Sequence, residues 1–323
     1  MQETLTQLGI PFQENMPIQQ LTGINQSGVL PLVAMPHTCE QMRQLCEYVT
    51  TGRLTYEILG GATNTYFCED FMRDIVILTR KLNHITFHDD GSFTAECGYS
   101  LSKLSKQMTD KGYAGFEGLA GIPGTIGAAV INNSGAFGCE MKNVVKQCQV
   151  LALNDGTIRT FTKEELDFST RHSYLKGKTG FCLLNVTFAA PPINPCVEMR
   201  RNELLAVMRR NMEIRRTKID GKRKSLGTVF VASTMQELYQ RHRLAMLVWK
   251  VLNIPNKLFF HRQDWSLRLQ FFCLGHIELA RHCDSIGRFC WDNKTKESDF
   301  FHYIDTMQAL AGRKLKLEIE IKR

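Results

Sequence analysis

No apolar run in the chain approaches the roughly 18 residues needed to span a bilayer, so no crossing helix is expected. Met1 to Gln7 is polar and lacks the apolar centre of a signal peptide. The eleven cysteines form no C-x-x-C pair and are odd in number. That argues against a zinc finger or a disulfide scaffold and for free thiols in a reducing compartment. His276, His282, Cys283 and Cys290 are the densest Cys/His group, but their spacing is irregular, so core or surface positions are expected and no metal. Aromatics are missing from the densest basic cluster (Arg215, Arg216, Lys218, Lys222, Arg223, Lys224), which leaves it without a base-stacking surface. It reads as a phosphate-facing or solvated loop. Neither G-x-G-x-x-G nor G-x-x-x-x-G-K-[ST] fits Gly121 to Gly127, which excludes a Rossmann or P-loop signal there. No internal repeat or low-complexity segment occurs. The expected setting is cytoplasmic, with neither nucleic acid nor membrane as partner.

What the chain does have is length and glycine. At 323 residues, with 43% hydrophobic and 22% charged residues, it reads as globular with two or three domains. Its net charge of +8 suits an anionic ligand such as a nucleotide diphosphate. Seven glycines lie in Gly115 to Glu140, with Pro123 inside a Gly-Ile-Pro-Gly turn. Glycine lets backbone amides approach a ligand closely and adopt positive φ. Read alone, the stretch also fits a set of tight turns in a β-rich domain.

Hydrophobic spacing supplies the elements. Leu30 to Ala34 reads as a strand, Thr38 to Gln41 as a capping box, and Met42, Leu45, Cys46 and Val49 as the buried stripe of a helix ended by Gly52. Tyr56 to Leu59 is a strand delivering Gly60-Gly61-Ala62-Thr63-Asn64, a reasonable phosphate loop. Ile75 to Leu78 and Thr94 to Gly98 are further strands, followed by a helix with Leu101, Leu104 and Met108 on one face. Gln147 to Leu153 and Thr157 to Phe161 form a hairpin around Asn154-Asp155-Gly156. Thr162 to Glu165 predicts a capped short helix before Phe168 to Ser173, and Gly180 to Phe188 a buried strand. Asn194 and Pro195 open a helix to about Arg216. Arg243 to Val251 and Asn256 to Phe260 read as ordinary amphipathic packing, Asp299 to Leu310 as a last helix, and Leu315 to Ile321 as a final strand. The mixture indicates α+β.

The order Gly-Leu-Ala-Gly-Ile-Pro-Gly-Thr-Ile-Gly-Ala-Ala-Val, then Asn-Asn-Ser-Gly-Ala-Phe-Gly-x-Glu, resembles the flavin-binding segment of UDP-N-acetylenolpyruvoylglucosamine reductases. The resemblance implies the FAD-binding fold of the vanillyl-alcohol-oxidase type, with FAD subdomains over 1–83 and 84–212. A divergent substrate domain would cover 213–323, its 313–323 strand carrying a catalytic glutamate. It implies noncovalent FAD held by Gly60, Gly61, Ala62, Thr63 and Asn64, and by Gly121, Ile122, Pro123, Gly124, Thr125, Gly127, Ala128, Asn133, Gly135 and Ala136. NADPH would be the reductant and a UDP-sugar the substrate.

Three positions are implied for chemistry. Arg171, in Phe168-Ser-Thr-Arg-His-Ser173, corresponds to the family's carboxylate-binding arginine, with Thr170 where tyrosine is usual. Glu318, in Leu315 to Ile319, corresponds to the glutamate that pairs with it. Thr228 stands where the family has a proton-donating serine, and Val231-Ala232-Ser233 replaces Lys-Asn-Pro. Ser173 and Lys218 are implied substrate contacts. From Ala232 to about Asp292 the family's signals are missing. The implied reaction is NADPH-dependent reduction of an enolpyruvyl UDP-sugar. The alternatives are a flavin enzyme acting on another sugar nucleotide or alcohol, and a non-catalytic FAD-binding protein.

Overall fold

Ile75–Leu78 is buried at every position, as a strand covered on both faces must be. It pairs in parallel with Val29–Ala34 on one side and Tyr56–Leu59 on the other, and Phe12–Pro17 adds an antiparallel edge to Val29–Ala34. The computed structural model describes residues 1–189, 197–218 and 223–323. The described chain divides into two units. One is Met1–Pro17, Val29–Ala62 and Met72–Ile219; the other is Ile18–Gly28, Thr63–Phe71 and Asp220–Arg323.

In the first unit, the crossover between the parallel strands Val29–Ala34 and Tyr56–Leu59 is the helix Cys39–Thr51. Thr38 caps it by accepting from the Gln41 N–H at 3.1 Å, and Met42, Leu45, Cys46 and Val49 are its buried residues. Gly60 therefore leaves the carboxyl end of a parallel strand, the edge at which open α/β sheets present their ligand loops. A second sheet is antiparallel throughout, in the order Ile158–Thr162, Val145–Ala152, Phe181–Phe188, Phe93–Glu96, Ile85–Phe87. The helix Leu101–Asp110 buries Leu101, Leu104 and Met108, as the spacing predicts.

The edge strand Phe12–Pro17 has no strand signal in the sequence. Gln13, Glu14 and Asn15 make it polar, because an edge strand can show one side to water. At Thr162 to Glu165 the reciprocal cap forms, with Thr162 N–H donating to Glu165 Oε2 at 2.7 Å and Glu165 N–H to Thr162 Oγ1 at 3.3 Å. The expected helix does not follow. Asp167 turns to φ +41° and stops the chain after one turn. The helix start expected at Asn194 and Pro195 lies outside the described residues; the helix itself runs Val197–Lys218.

The second unit has its own core, centred on Phe230, Phe271, Phe289, Phe300 and Tyr303. Its helices include Ala232–Arg241, Arg243–Leu252, Gln263–Cys273 and Glu297–Ala311, the last ended by Gly312 at φ +67°. Cys283 and Cys290 are buried there, and His282 stacks on Phe289 with ring centroids 5.4 Å apart. The final strand is shorter than the alternation suggests. Glu320–Lys322 pairs in parallel with Thr65–Phe67, whereas Leu317 makes only an isolated bridge to Phe230. The larger correction concerns Arg243 to Phe260, where Met246 is buried but most of the other apolar side chains face solvent rather than a core.

Among the described residues no helix is long and apolar enough to cross a membrane, and no group of three His, Cys, Asp or Glu could hold a metal ion. The described cysteines are free thiols.

Candidate functional site

The glycine stretch of the first unit folds as loop, short helix and hairpin. Gly115, Gly121 and Gly124 take positive φ, and Thr125 leads into the helix Ile126–Ile131. Gly127 serves packing: its N–H donates to Cys97 O at 2.8 Å, and a Cβ there would come 2.9 Å from that of Cys97. The helix can thus lie directly on the end of the strand Phe93–Glu96. After it, Gly135–Ala136 pairs with Cys139–Glu140.

The first glycine loop meets the second. A Cβ on Gly60 would collide with Thr125 Oγ1 and lie 3.5 Å from the Ala128 methyl. Thr125 is buried, and its hydroxyl has no hydrogen-bond partner among the described residues. Ala62, where the family pattern has glycine, holds φ at +49°. That left-handed conformation costs a non-glycine residue free energy and is kept where the surroundings demand it. Gly61 and Ile122 are half-buried, and Pro123 is exposed at the turn.

Arg215 is a site residue for which the sequence suggests no role, although it stands in the basic cluster and opens Arg215-Arg-Thr-Lys218, which resembles the family's Arg-x-x-Lys. It lies on the helix Val197–Lys218, with its Cδ 3.2 Å from where a Gly121 Cβ would be and its guanidinium 5.4 Å from the Phe137 ring centroid. Nε and Nη2 are buried without an acceptor among the described residues. Burial holds the guanidinium below the usual arginine pKa. Unsatisfied cationic donors beside a glycine loop are suited to an anion. The one available signal was position, three residues before Lys218. The Lys218 side chain lies outside what the structure describes.

Arg171 sits at φ +53° and donates from Nη2 to Gly135 O at 2.9 Å, while its own carbonyl accepts from Lys176 Nζ at 2.9 Å. This arginine is therefore half-buried against the hairpin rather than extended into solvent. Asn133 and Ser173 are both fully buried. Asn133 donates to Ser169 O at 2.9 Å and to Glu140 Oε2 at 3.2 Å, and accepts from the Lys142 N–H at 3.0 Å. Ser173 donates to Ile131 O at 2.8 Å. Their side chains tether the Arg171 segment to the glycine hairpin.

In the second unit three separated segments converge. Asn64 Nδ2 donates to Glu318 O at 2.9 Å, and the Glu320 N–H returns to Asn64 O at 2.9 Å. The Glu318 N–H donates to Val229 O at 2.8 Å, and Val229 N–H to Gly287 O at 2.8 Å. Thr228 thus adjoins the residue that bonds Glu318, and both are half-buried. Thr63 is half-buried next to Asn64.

A family model described as FAD binding domain matches residues 30–162. The chain is 37% identical over 183 residues to the UDP-N-acetylenolpyruvoylglucosamine reductase of Limosilactobacillus reuteri, covering 57% of this chain and 60% of that one. It is 31% identical over 260 residues to that of Enterococcus faecalis, covering 80% of this chain and 83% of that one. The chain thus spans less than two thirds of the first relative's length. The crystal structure of the reductase from Thermus caldophilus superposes with a TM-score of 0.64 at 20% identity, over 97% of this chain and 99% of that one, a likeness of fold. The residues fit FAD: two glycine loops in contact, an orphaned buried hydroxyl at Thr125 and unpaired donors at Arg215 are what a dinucleotide's phosphates need. With an FAD-binding domain in a mixed α+β fold and this extent of identity, the chain belongs to the UDP-N-acetylenolpyruvoylglucosamine reductase family.

Proposed function

We propose that the chain is an FAD-dependent oxidoreductase that reduces UDP-N-acetyl-enolpyruvoylglucosamine to UDP-N-acetylmuramate with NADPH, a step of peptidoglycan precursor synthesis. The observation that carries this reading is the backbone bond in which Glu318 N–H meets Val229 O beside Thr228, since it brings together two of the residues the chemistry requires. The chemistry that bound FAD supplies is hydride transfer, from NADPH to C3 of the enolpyruvyl ether.

The chain's own residues then handle charge and proton. Negative charge develops on the enolpyruvyl carboxylate, and Arg171 is the cation that would bind it. Glu318 is the acidic group assigned to the substrate. The Thr228 hydroxyl donates the proton to C2, which demands a neighbour that stabilises the alkoxide. Ser173 acts by holding the Arg171 segment, and Lys218 serves the substrate diphosphate. A second reading, the same flavin chemistry on another sugar nucleotide or alcohol, is favoured by residues 232–292, which lack the family's substrate-domain signals.

The test is anaerobic spectroscopy of the flavoprotein. NADPH should bleach the flavin absorbance, and the enolpyruvyl UDP-sugar should restore it. Bleaching without restoration moves the substrate to another class. Absence of flavin after reconstitution defeats the whole reading.

A further inference from the structure

Twelve of the twenty exposed large apolar side chains among the described residues fall within 244–277 of the second unit. Scattered single exposures are normal in globular proteins, but such a concentration marks a contact surface. The helix Arg243–Leu252 shows how it is built. Leu244, Leu247, Val248, Val251 and Leu252 recur at intervals of three and four, so they form one stripe. Every one of them is exposed, Leu244 to 79%. The opposite side of the helix is anchored instead, by Met246 at 6% exposure and by Trp249, whose Nε1 donates to Ser266 O at 3.0 Å. An amphipathic helix has its apolar stripe turned to water.

The neighbouring turn, Asn256–Phe260, repeats the arrangement by different means. Asn256 is buried and donates to Asn253 Oδ1 at 3.0 Å and to Arg262 O at 2.9 Å, while accepting from the Arg262 N–H at 2.9 Å. Asn253, also buried, donates to Ser266 Oγ at 2.9 Å. Polar groups occupy the inside of the turn, which drives Leu258, Phe259 and Phe260 outward at 63%, 75% and 54% exposure. Trp265 packs beside Phe260 with centroids 5.4 Å apart and is itself 42% exposed.

The charge around this surface is mostly positive. Between residues 243 and 277 the exposed cations are Arg243, Lys250, Lys257, Arg262 and Arg268, against the single acid Asp264, which Arg262 already pairs at 2.9 Å. We propose that the apolar face of residues 244–277 seats on an anionic lipid surface as a peripheral contact. The leucines, phenylalanines and Trp265 enter the boundary between headgroups and acyl chains, and the lysines and arginines reach the phosphates. A second copy across a two-fold axis would set these cations against themselves. The apolar side chains project from a helix and a turn, and fluid lipid conforms to such relief.

The experiment is co-sedimentation of the FAD-bound chain with phosphatidylcholine vesicles, with and without phosphatidylglycerol, at low and high salt. Binding is expected only with phosphatidylglycerol and should weaken at high salt. Lys250→Gln should weaken the partition about fivefold. The double variant Leu258→Asp/Phe259→Asp should lose more than about tenfold, with thermal midpoint and flavin spectrum unchanged because both side chains are exposed. No binding to the anionic vesicles overturns the proposal. So does equal binding to neutral vesicles. Light scattering that shows a dimer dissolved by Leu258→Asp/Phe259→Asp, without vesicle binding, also overturns it and makes the face a subunit interface.

Discussion

The backbone N–H of Glu318 donates to the carbonyl oxygen of Val229 at 2.8 Å, which sets the glutamate's backbone beside Thr228 although ninety positions separate the two in sequence. If Thr228 gives the proton to C2, Thr228→Val should lower turnover by about 10²- to 10⁴-fold while leaving reduction of the flavin by NADPH unchanged. Thr228→Ser, which keeps the hydroxyl, should retain activity. Rapid-mixing measurement of the two half-reactions separates these effects, and normal turnover in Thr228→Val would remove the residue from the mechanism.

Gly60→Ala tests the contact between the two glycine loops. The added methyl would meet Thr125 Oγ1, and overpacking of this kind costs about 1–3 kcal/mol. FAD affinity should fall about 5- to 150-fold, read from flavin fluorescence during titration. An unchanged Kd would show that the loops do not form the cradle.

Ala62 offers the opposite sign. Its φ of +49° is strained for alanine and natural for glycine. Ala62→Gly should stabilise the chain by about 0.5–1 kcal/mol after the extra chain entropy of glycine is subtracted, and Ala62→Val should destabilise it. Scanning calorimetry of both variants checks the pair.

Arg215 should separate stability from binding. Unpaired buried donors cost about 1–3 kcal/mol, so Arg215→Met should leave the flavin-free protein as stable as before or more so. The same variant should bind FAD more weakly. Lower stability with FAD affinity intact would give Arg215 a purely structural role.

His282 predicts a pH effect. Burial and the neighbouring Arg281 oppose protonation, outweighing Asp299, so its pKa is held below the usual histidine value. The unfolded chain then takes up the proton first. This stability is fully present above about pH 6.5 and is lost as pH falls from there through the folded value. His282→Phe, which keeps the stacking on Phe289, should flatten that part of the curve in thermal melts across pH 5 to 8, a window of about three units around the free histidine pKa.

Where an element is set by local pattern, it was legible. The stripe Met42, Leu45, Cys46 and Val49 and the run Ile75–Leu78 lie where their spacing places them. The strand Phe12–Pro17 was not legible, because its pairing with Val29–Ala34 comes from backbone hydrogen bonds that leave no apolar period. The cap at Thr162 misled for the converse reason: a correct local signal was overruled by the turn at Asp167. Arg243–Leu252 misled most, since periodicity reports that a helix has an apolar face but not what the face meets.

By itself the sequence determined the flavin segment. Its glycines are required by backbone geometry, and backbone geometry is local. Only the tertiary structure decided that Gly60 meets Thr125, that Arg215 turns unpaired donors toward Gly121, and that Asn64 and Val229, next to Thr228, both bond the backbone of Glu318. Those relations depend on which distant backbone groups find each other as partners. That choice belongs to the packed chain, because each buried donor and acceptor must be satisfied by whatever the whole fold brings beside it.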